Sequence, residues 1–334
     1  MRELPLLRGL RPEGSASVPP FEREPELMKR HRTTARGILF LTLALLICTG
    51  SAAAFPASAP SVSGAGGKVP RLIFPVLGPA EYTDDFGDPR GQGGHEGNDL
   101  VAPKRSLALA AESGRVEYHT TSSRAGCMLY LNGESGTQYL YIHLNNDLTL
   151  ENDNRGACVP GVSYAEGLKN GAKVAAGQPI GYVGDSGDAD GIHAHLHFEV
   201  HPGGGAAVSP YPYLRKARKL LFAAKPGSMF TLALTGKVAA AAPETLELTI
   251  DQVRQWPGGR TIVQGGQKVA VSIPDTVSLE SPSPFRGVDL SLSAASALTR
   301  GLQVTVYTQP AKVTLDAQTG TKGALAASRV VVKG

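Results

Sequence analysis

The chain has 334 residues, 40 of them Gly and 24 Pro, with only 19% charged side chains. That balance excludes a charge-rich disordered chain and predicts a β-rich, turn-dense protein with room for two domains and appendages. The formal charge of +4 gathers at one end: residues 1–36 hold eight Lys/Arg and five Glu, a net +3, which leaves the remainder near neutral. No polyanion partner is implied, and no basic run is interleaved with aromatics, so nucleic-acid binding is not expected.

In chain order, the first expected element is an export signal at 28–54. Lys29 to Arg36 is a basic segment, Ile38–Ile47 is apolar except for Thr42, and Ala52-Ala53-Ala54 supplies a small-residue cleavage site before Phe55. Residues 1–27 then read as an overextended gene start. A retained membrane anchor is the alternative, disfavoured because the apolar core falls short of the ~20 residues a span needs. Residues 55–70 form a Pro/Ser/Gly linker.

The next region, 71–213, carries the chemistry. His95 and Asp99 have even spacing, so in extended conformation both can reach one ion, and imidazole nitrogen with carboxylate oxygen suits zinc. Alone such a pair is weak. Gly184-Asp185-Ser186-Gly187 spells a serine-protease nucleophile signature but lacks its histidine partner motif, so it reads as a turn. It feeds the ten residues Ile192–His201, which alternate strictly between apolar and polar. In a strand, Ile192, Ala194, Leu196, Phe198 and Val200 would face a core, and His193, His195, His197, Glu199 and His201 the other side. Four of the chain's eight histidines fall on this strip. A rigid row of imidazoles is a way to hold metal ligands; an exposed His-rich edge strand is the alternative, disfavoured by four histidines in ten residues.

Three ordered segments resemble the signatures of lysostaphin-type (LytM) zinc endopeptidases: Gly94-His95-Glu96-Gly97-Asn98-Asp99-Leu100, Tyr141-Ile142-His143-Leu144, and His195-Leu196-His197-Phe198-Glu199-Val200. Framework blocks at 110–116 and 171–181 match as well, so the resemblance covers about residues 71–210. It implies an antiparallel all-β peptidase domain. It also implies one Zn2+ held by His95, Asp99 and His197, with His143 and His195 as catalytic histidines. Zinc would activate water against a peptide carbonyl, and two imidazoles near pKa ~6.5 would move protons and stabilise the oxyanion. The implied substrate is a peptide cross-link of bacterial peptidoglycan, reached outside the cytoplasm, with membrane contact only through an uncleaved signal. A catalytically silent LytM-type protein that binds cell wall or activates another hydrolase is the alternative, disfavoured by the complete set of five residues.

The sequence departs from the family pattern at three places. His193 is additional, the segment Asn145–Leu168 is long, and Asp84-Asp85-Phe86-Gly87-Asp88 is unusually acidic. With Cys48 lost in the signal, Cys127 and Cys158 remain, and an even number in an exported chain predicts a disulfide, with two buried thiols as the alternative. Residues 214–228 form a linker, its Leu214–Phe222 portion a basic, helical exit. Beyond it, Phe230–Val238, Thr245–Val253, Gln267–Ile273, Leu302–Thr308 and Ala326–Val332 read as strands of a small five-stranded barrel (OB-like) or sandwich over 229–334, a binding, spacing or merely stabilising module.

Overall fold

The computed structural model describes residues 68–91, 93–120, 122–274, 277–280 and 298–333. The expected export signal and the linker up to residue 67 lie outside them. Among the described residues no helix is long and apolar enough to cross a membrane.

The architecture is all-β and mainly antiparallel. The first half contributes β1 (Pro89–Arg90), β2 (Gly93–Gly94), β3 (Asn98–Val101), β4 (Leu107–Leu109), β5 (Gly114–His119), β6 (Cys127–Gly133), β7 (Gln138–Leu144), β8 (Lys173–Val174), β9 (Pro179–Tyr182) and β10 (His195–His201). Six of them form one sheet in the order β3-β10-β7-β6-β5-β8, so β10 lies between β3 and β7. Alternation dictates that place. Leu196, Phe198 and Val200 are fully buried on one face, each contributing about 1.5–3 kcal/mol, and the histidines stand on the other. Tyr139 of β7 stacks on Phe198 and Tyr141 meets it edge to face in the same core. The Tyr141 hydroxyl donates to the Leu109 carbonyl at 2.9 Å and accepts from Ala111 N–H at 2.8 Å, tying this sheet to the β4–β9 ribbon.

The strand carrying the histidines starts later than the alternation suggests. Gly191 has φ 83° and turns the chain, so Ile192 is 54% exposed, and regular pairing begins only at His195. Residues 211–228 also differ from expectation. The helix, α1 (Tyr211–Leu214), ends where the exit was expected to begin, and Leu220, Leu221 and Phe222 are buried and non-helical. They join Ile73, Leu77, Leu107 and Leu109 in an apolar cluster shared with the C-terminal strands.

Those strands are β11 (Met229–Ala242), β12 (Thr245–Trp256), β13 (Thr261–Ser272), β14 (Ser278–Glu280), β15 (Gln303–Thr308), β16 (Ala311–Lys312) and β17 (Ala327–Val332). They follow the order β13-β12-β11-β15-β17-β14, with β16 beside β11. The five expected strands are all present, longer than expected in β11, β12 and β13. The short β14 and β16 make seven rather than five among the described residues, because brief edge strands carry too little pattern to be read from sequence. A single parallel bridge, Ser272 to Ala326, links the end of β13 to the start of β17. A five-residue helix, α2 (Leu315–Thr319), is capped by Thr314, whose side chain accepts from Ala317 N–H, and stops at Gly320 in left-handed conformation.

Cys127 and Cys158 are paired, 31 residues apart in sequence, with Cα atoms 5.2 Å apart. The long segment after β7 is therefore anchored, and Asp147 anchors it again from inside. The buried Asp147 carboxylate accepts from Asp153 and Asn154 N–H at 2.8 and 2.7 Å and from Lys104 Nζ at 2.7 Å. Lys104 also reaches Asp185 at 2.8 Å. Closing a loop of this length restricts the unfolded chain by about 3–4 kcal/mol. The double variant Cys127→Ser/Cys158→Ser should therefore unfold at a clearly lower urea concentration than the oxidised protein. An unchanged midpoint would mean that the Asp147 network alone holds the segment.

Candidate metal and catalytic site

Three side chains from separate segments meet at the open face of the sheet. Asp99 stands on β3 directly opposite His197 of β10, and His95 precedes β3 in irregular backbone. The bend between them falls at Gly97, where a Cβ would lie 2.6 Å from Phe198 O and 2.7 Å from His197 Nε2. Only glycine lets this segment approach β10 so closely. His95 Nε2 is 3.2 Å from Asp99 Oδ1 and 2.9 Å from His197 Nδ1, and His197 Nδ1 is 3.1 Å from Asp99 Oδ1. Ligands of a tetrahedral zinc stand roughly 3.3 Å apart at usual bond lengths, so small outward shifts would admit the ion.

The outer hydrogen bonds fix which nitrogens face inward. His95 Nδ1–H donates to the Asp85 carbonyl at 2.9 Å, which leaves the Nε2 lone pair free. His197 Nε2–H donates to Glu199 Oε1 at 2.9 Å, which turns Nδ1 to the centre. Arg90 donates to Asp99 Oδ2 at 2.8 Å, reserving Oδ1. Two nitrogens and one oxygen converging on one point match the donor set of a catalytic zinc, three protein ligands with further positions open.

Electrostatics favour a cation there. Burial opposes the charged form of Asp99, but the neighbouring His197, His95 and Arg90 outweigh it and hold the carboxyl well below the usual carboxylate range. Burial likewise pulls His197 down, yet its bonds to Asp99 and Glu199 raise it to about 9, so without an ion Nδ1 holds a proton toward Asp99 that zinc would displace. Burial also opposes ionised Glu199, and His197 and His201 together bring it to about 2.

His143 and His195 stand beside this centre, with ring centroids 5.0 Å apart. His143 Nδ1–H donates to the Ser186 carbonyl at 2.8 Å, and His195 Nδ1–H to the His193 carbonyl at 3.0 Å. Each therefore keeps its Nε2 lone pair free. His195 Nε2 lies 3.7 Å from Asp99 Oδ1, and His143 Nε2 3.7 Å from Asp188 Oδ1. Burial and then the neighbouring His195 lower His143 to about 4, and burial lowers His195, so both are neutral at pH 7. His143 has φ 59°, the left-handed region a β-strand residue rarely enters. The four imidazole rings and the Asp99 carboxylate line one cleft of about 540 Å³, with Arg90, Glu96, Arg124, Asp188 and Ile192 on its walls.

The other sequence features find their places. His193 is exposed, and its backbone orients His195. Among the described residues the cleft lining takes nothing from 145–168. That segment touches the rim instead, through Asn152 and Asn154 amides that donate to Asp190 Oδ1 at 2.7 and 3.0 Å. Ser186 is buried; its hydroxyl donates to Leu144 O at 2.6 Å and accepts from Cys127 N–H at 2.9 Å. It is a brace. Ser186→Ala should cost about 1–3 kcal/mol, because the Cys127 N–H loses its buried acceptor, while hydrolysis stays within tenfold. Loss of hydrolysis in a variant with intact stability would instead place Ser186 in the chemistry.

Sequence reasoning named Glu199 only as a member of the polar face and missed Asp85, Arg90 and the Ser186 carbonyl. Even spacing from His197 was the available signal for Glu199, and the acidic run 84–88 was the signal for the Asp85 carboxylate, whose Oδ2 lies 3.3 Å from His95 Nδ1. A carbonyl acceptor leaves none.

No family model matches the chain. An L-Ala–D-Glu endopeptidase of Bacillus subtilis is 29% identical over 153 residues, 42% of this chain and 42% of that protein. The chain thus spans less than half the length of this curated relative. The catalytic domain of lysostaphin from Staphylococcus simulans is similar at 25% identity and a TM-score of 0.33, covering 41% of this chain and 92% of the domain. A lytM protein of Ruminococcus gnavus is similar at 26% identity and a TM-score of 0.35, covering 43% and 59%. The likeness to lysostaphin-type peptidases read from the sequence recurs in these relatives.

Proposed function

We propose, from the likeness of residues 71–210 to lysostaphin-type peptidases, that this chain is an exported zinc endopeptidase cutting peptide cross-links of bacterial peptidoglycan. The observation that carries the proposal is the convergence of His95 Nε2, Asp99 Oδ1 and His197 Nδ1 beside two neutral imidazoles in one open cleft. His95, Asp99 and His197 would hold one Zn2+, which when bound supplies the Lewis acidity that activates water near neutral pH.

His143 and His195 do the proton work. Each presents an unprotonated Nε2 beside the centre and is held by a backbone carbonyl at Nδ1. Either can take the proton released as water adds to the peptide carbonyl. Once protonated, it can donate to the tetrahedral oxygen or pass the proton to the departing amine. Burial keeps both rings neutral beforehand, so a lone pair is ready at physiological pH.

The export signal at 28–54 and the paired cysteines support an extracytoplasmic location, because disulfides persist in oxidising compartments. The substrate assignment rests on the relatives and is tested directly: the full chain should release peptide fragments from purified cell wall, with new amino termini identifiable by mass spectrometry. The β11–β17 region is read as a stabilising or spacing module, since its apolar strands share a core with Leu107, Leu109 and Leu220–Phe222.

A further inference from the structure

We infer that His201, acting through Glu199, is a positioning residue for His197 and so governs how tightly the metal site retains its ion; the inference rests on the zinc reading above. His197, Glu199 and His201 share one face of β10 at even spacing. The buried Glu199 carboxylate spans the two rings, accepting from His197 Nε2 at 2.9 Å and from His201 Nε2 at 2.6 Å. His201 is itself fixed, its Nδ1 donating to the Gly205 carbonyl at 2.8 Å across the tight turn that ends the strand.

Each link constrains the next. The Gly205 carbonyl orients the His201 ring, and His201 engages one carboxylate oxygen. The other oxygen then has a defined direction toward His197. His197 can bind a metal through Nδ1 only while its Nε2–H points away from the centre, which the carboxylate enforces. Opposite Glu199 on β7 stands Leu140, which offers no donor to replace His201. Without His201, the freed carboxylate oxygen must find another partner, and the plane that holds His197 loses one of its two restraints. Outer partners of metal-bound histidines typically contribute 10–100-fold to metal affinity.

The test is zinc affinity of the full chain by competition with a chromophoric chelator, with urea stability measured alongside. Glu199→Ala should weaken zinc by roughly 10–100-fold and His201→Ala by about tenfold. His201→Gln, whose amide can still donate to the carboxylate, should recover part of that loss. The double variant decides the route. If His201 acts through Glu199, His201→Ala adds no further loss in a Glu199→Ala background. Equal weakening in both backgrounds, or none in the wild-type background, would overturn the inference. His201→Phe, which fills the space and donates nothing, serves the same cycle should alanine prevent folding. A wild-type chain that binds no zinc contradicts the metal-site reading itself. Tight wild-type binding with indifferent variants contradicts only the role of His201.

Discussion

Replacing His197 by alanine is expected to leave the protein with far less than one zinc per chain and no measurable peptide hydrolysis. His197 is the proposed ligand at which the site's restraints meet: it faces Asp99 across the β3–β10 pair and is held from behind by Glu199. Removing it takes one of three protein donors and frees Asp99 and His95 to pair with each other at their present 3.2 Å. Metal affinity is built from all three donors, so the loss should be severe. Asp99→Ala should behave alike, with the added release of Arg90. Metal analysis of the purified variants checks this, and a His197→Ala protein with full zinc and full activity would remove His197 from the ligand set.

The second large effect separates metal holding from chemistry. His143→Ala and His195→Ala should each keep zinc and lose hydrolysis by roughly 10²–10⁴-fold, the scale of a positioned acid–base group. Both rings have their Nδ1 committed to backbone carbonyls, and neither belongs to the cluster of three converging donors. Their removal therefore leaves the metal donors in place. Zinc content and turnover measured on the same preparation read the two effects separately. Zinc lost together with His143 or His195 would move that residue into the ligand set.

Much of this site was legible because strand chemistry is periodic. Leu196, Phe198 and Val200 alternate with His195, His197, Glu199 and His201 and are all fully buried, while the polar face is only partly open, with His195 and Glu199 buried and His197 and His201 half-buried. His95 and Asp99 converge as their spacing suggested and meet His197 as the resemblance implied, but not by simple extension. His95 lies outside β3, and Gly97 supplies the close approach that joins them. The alternation also extended too far, because Ile192 continues the apolar pattern by composition while Gly191 has already turned the chain into solvent. Local pattern does not register a left-handed turn residue until the backbone is known.

What remained hidden depends on long-range contacts. Ser186 was read as part of a turn, but its bracing contacts to Leu144 and Cys127 are brought together by sheet pairing and by the loops between strands. The partners of Lys104, Asp147 and Asp185, come from other loops, so no local motif announces that cluster. In the exit segment, Leu220–Phe222 were read as part of a basic helix because Lys and Arg alternate with apolar residues there. Packing against the C-terminal strands overrides that weak preference.

The central claim, that His95, Asp99 and His197 arm a peptide-bond hydrolase, meets its most direct test in purified cell wall treated with the full chain. Released material is followed by mass spectrometry with and without a zinc chelator, and again after zinc is restored. The account predicts peptide fragments with new amino termini, abolished by the chelator and recovered with zinc. Undiminished release in the chelator, or release blocked by a serine-directed phosphonate instead, would contradict it.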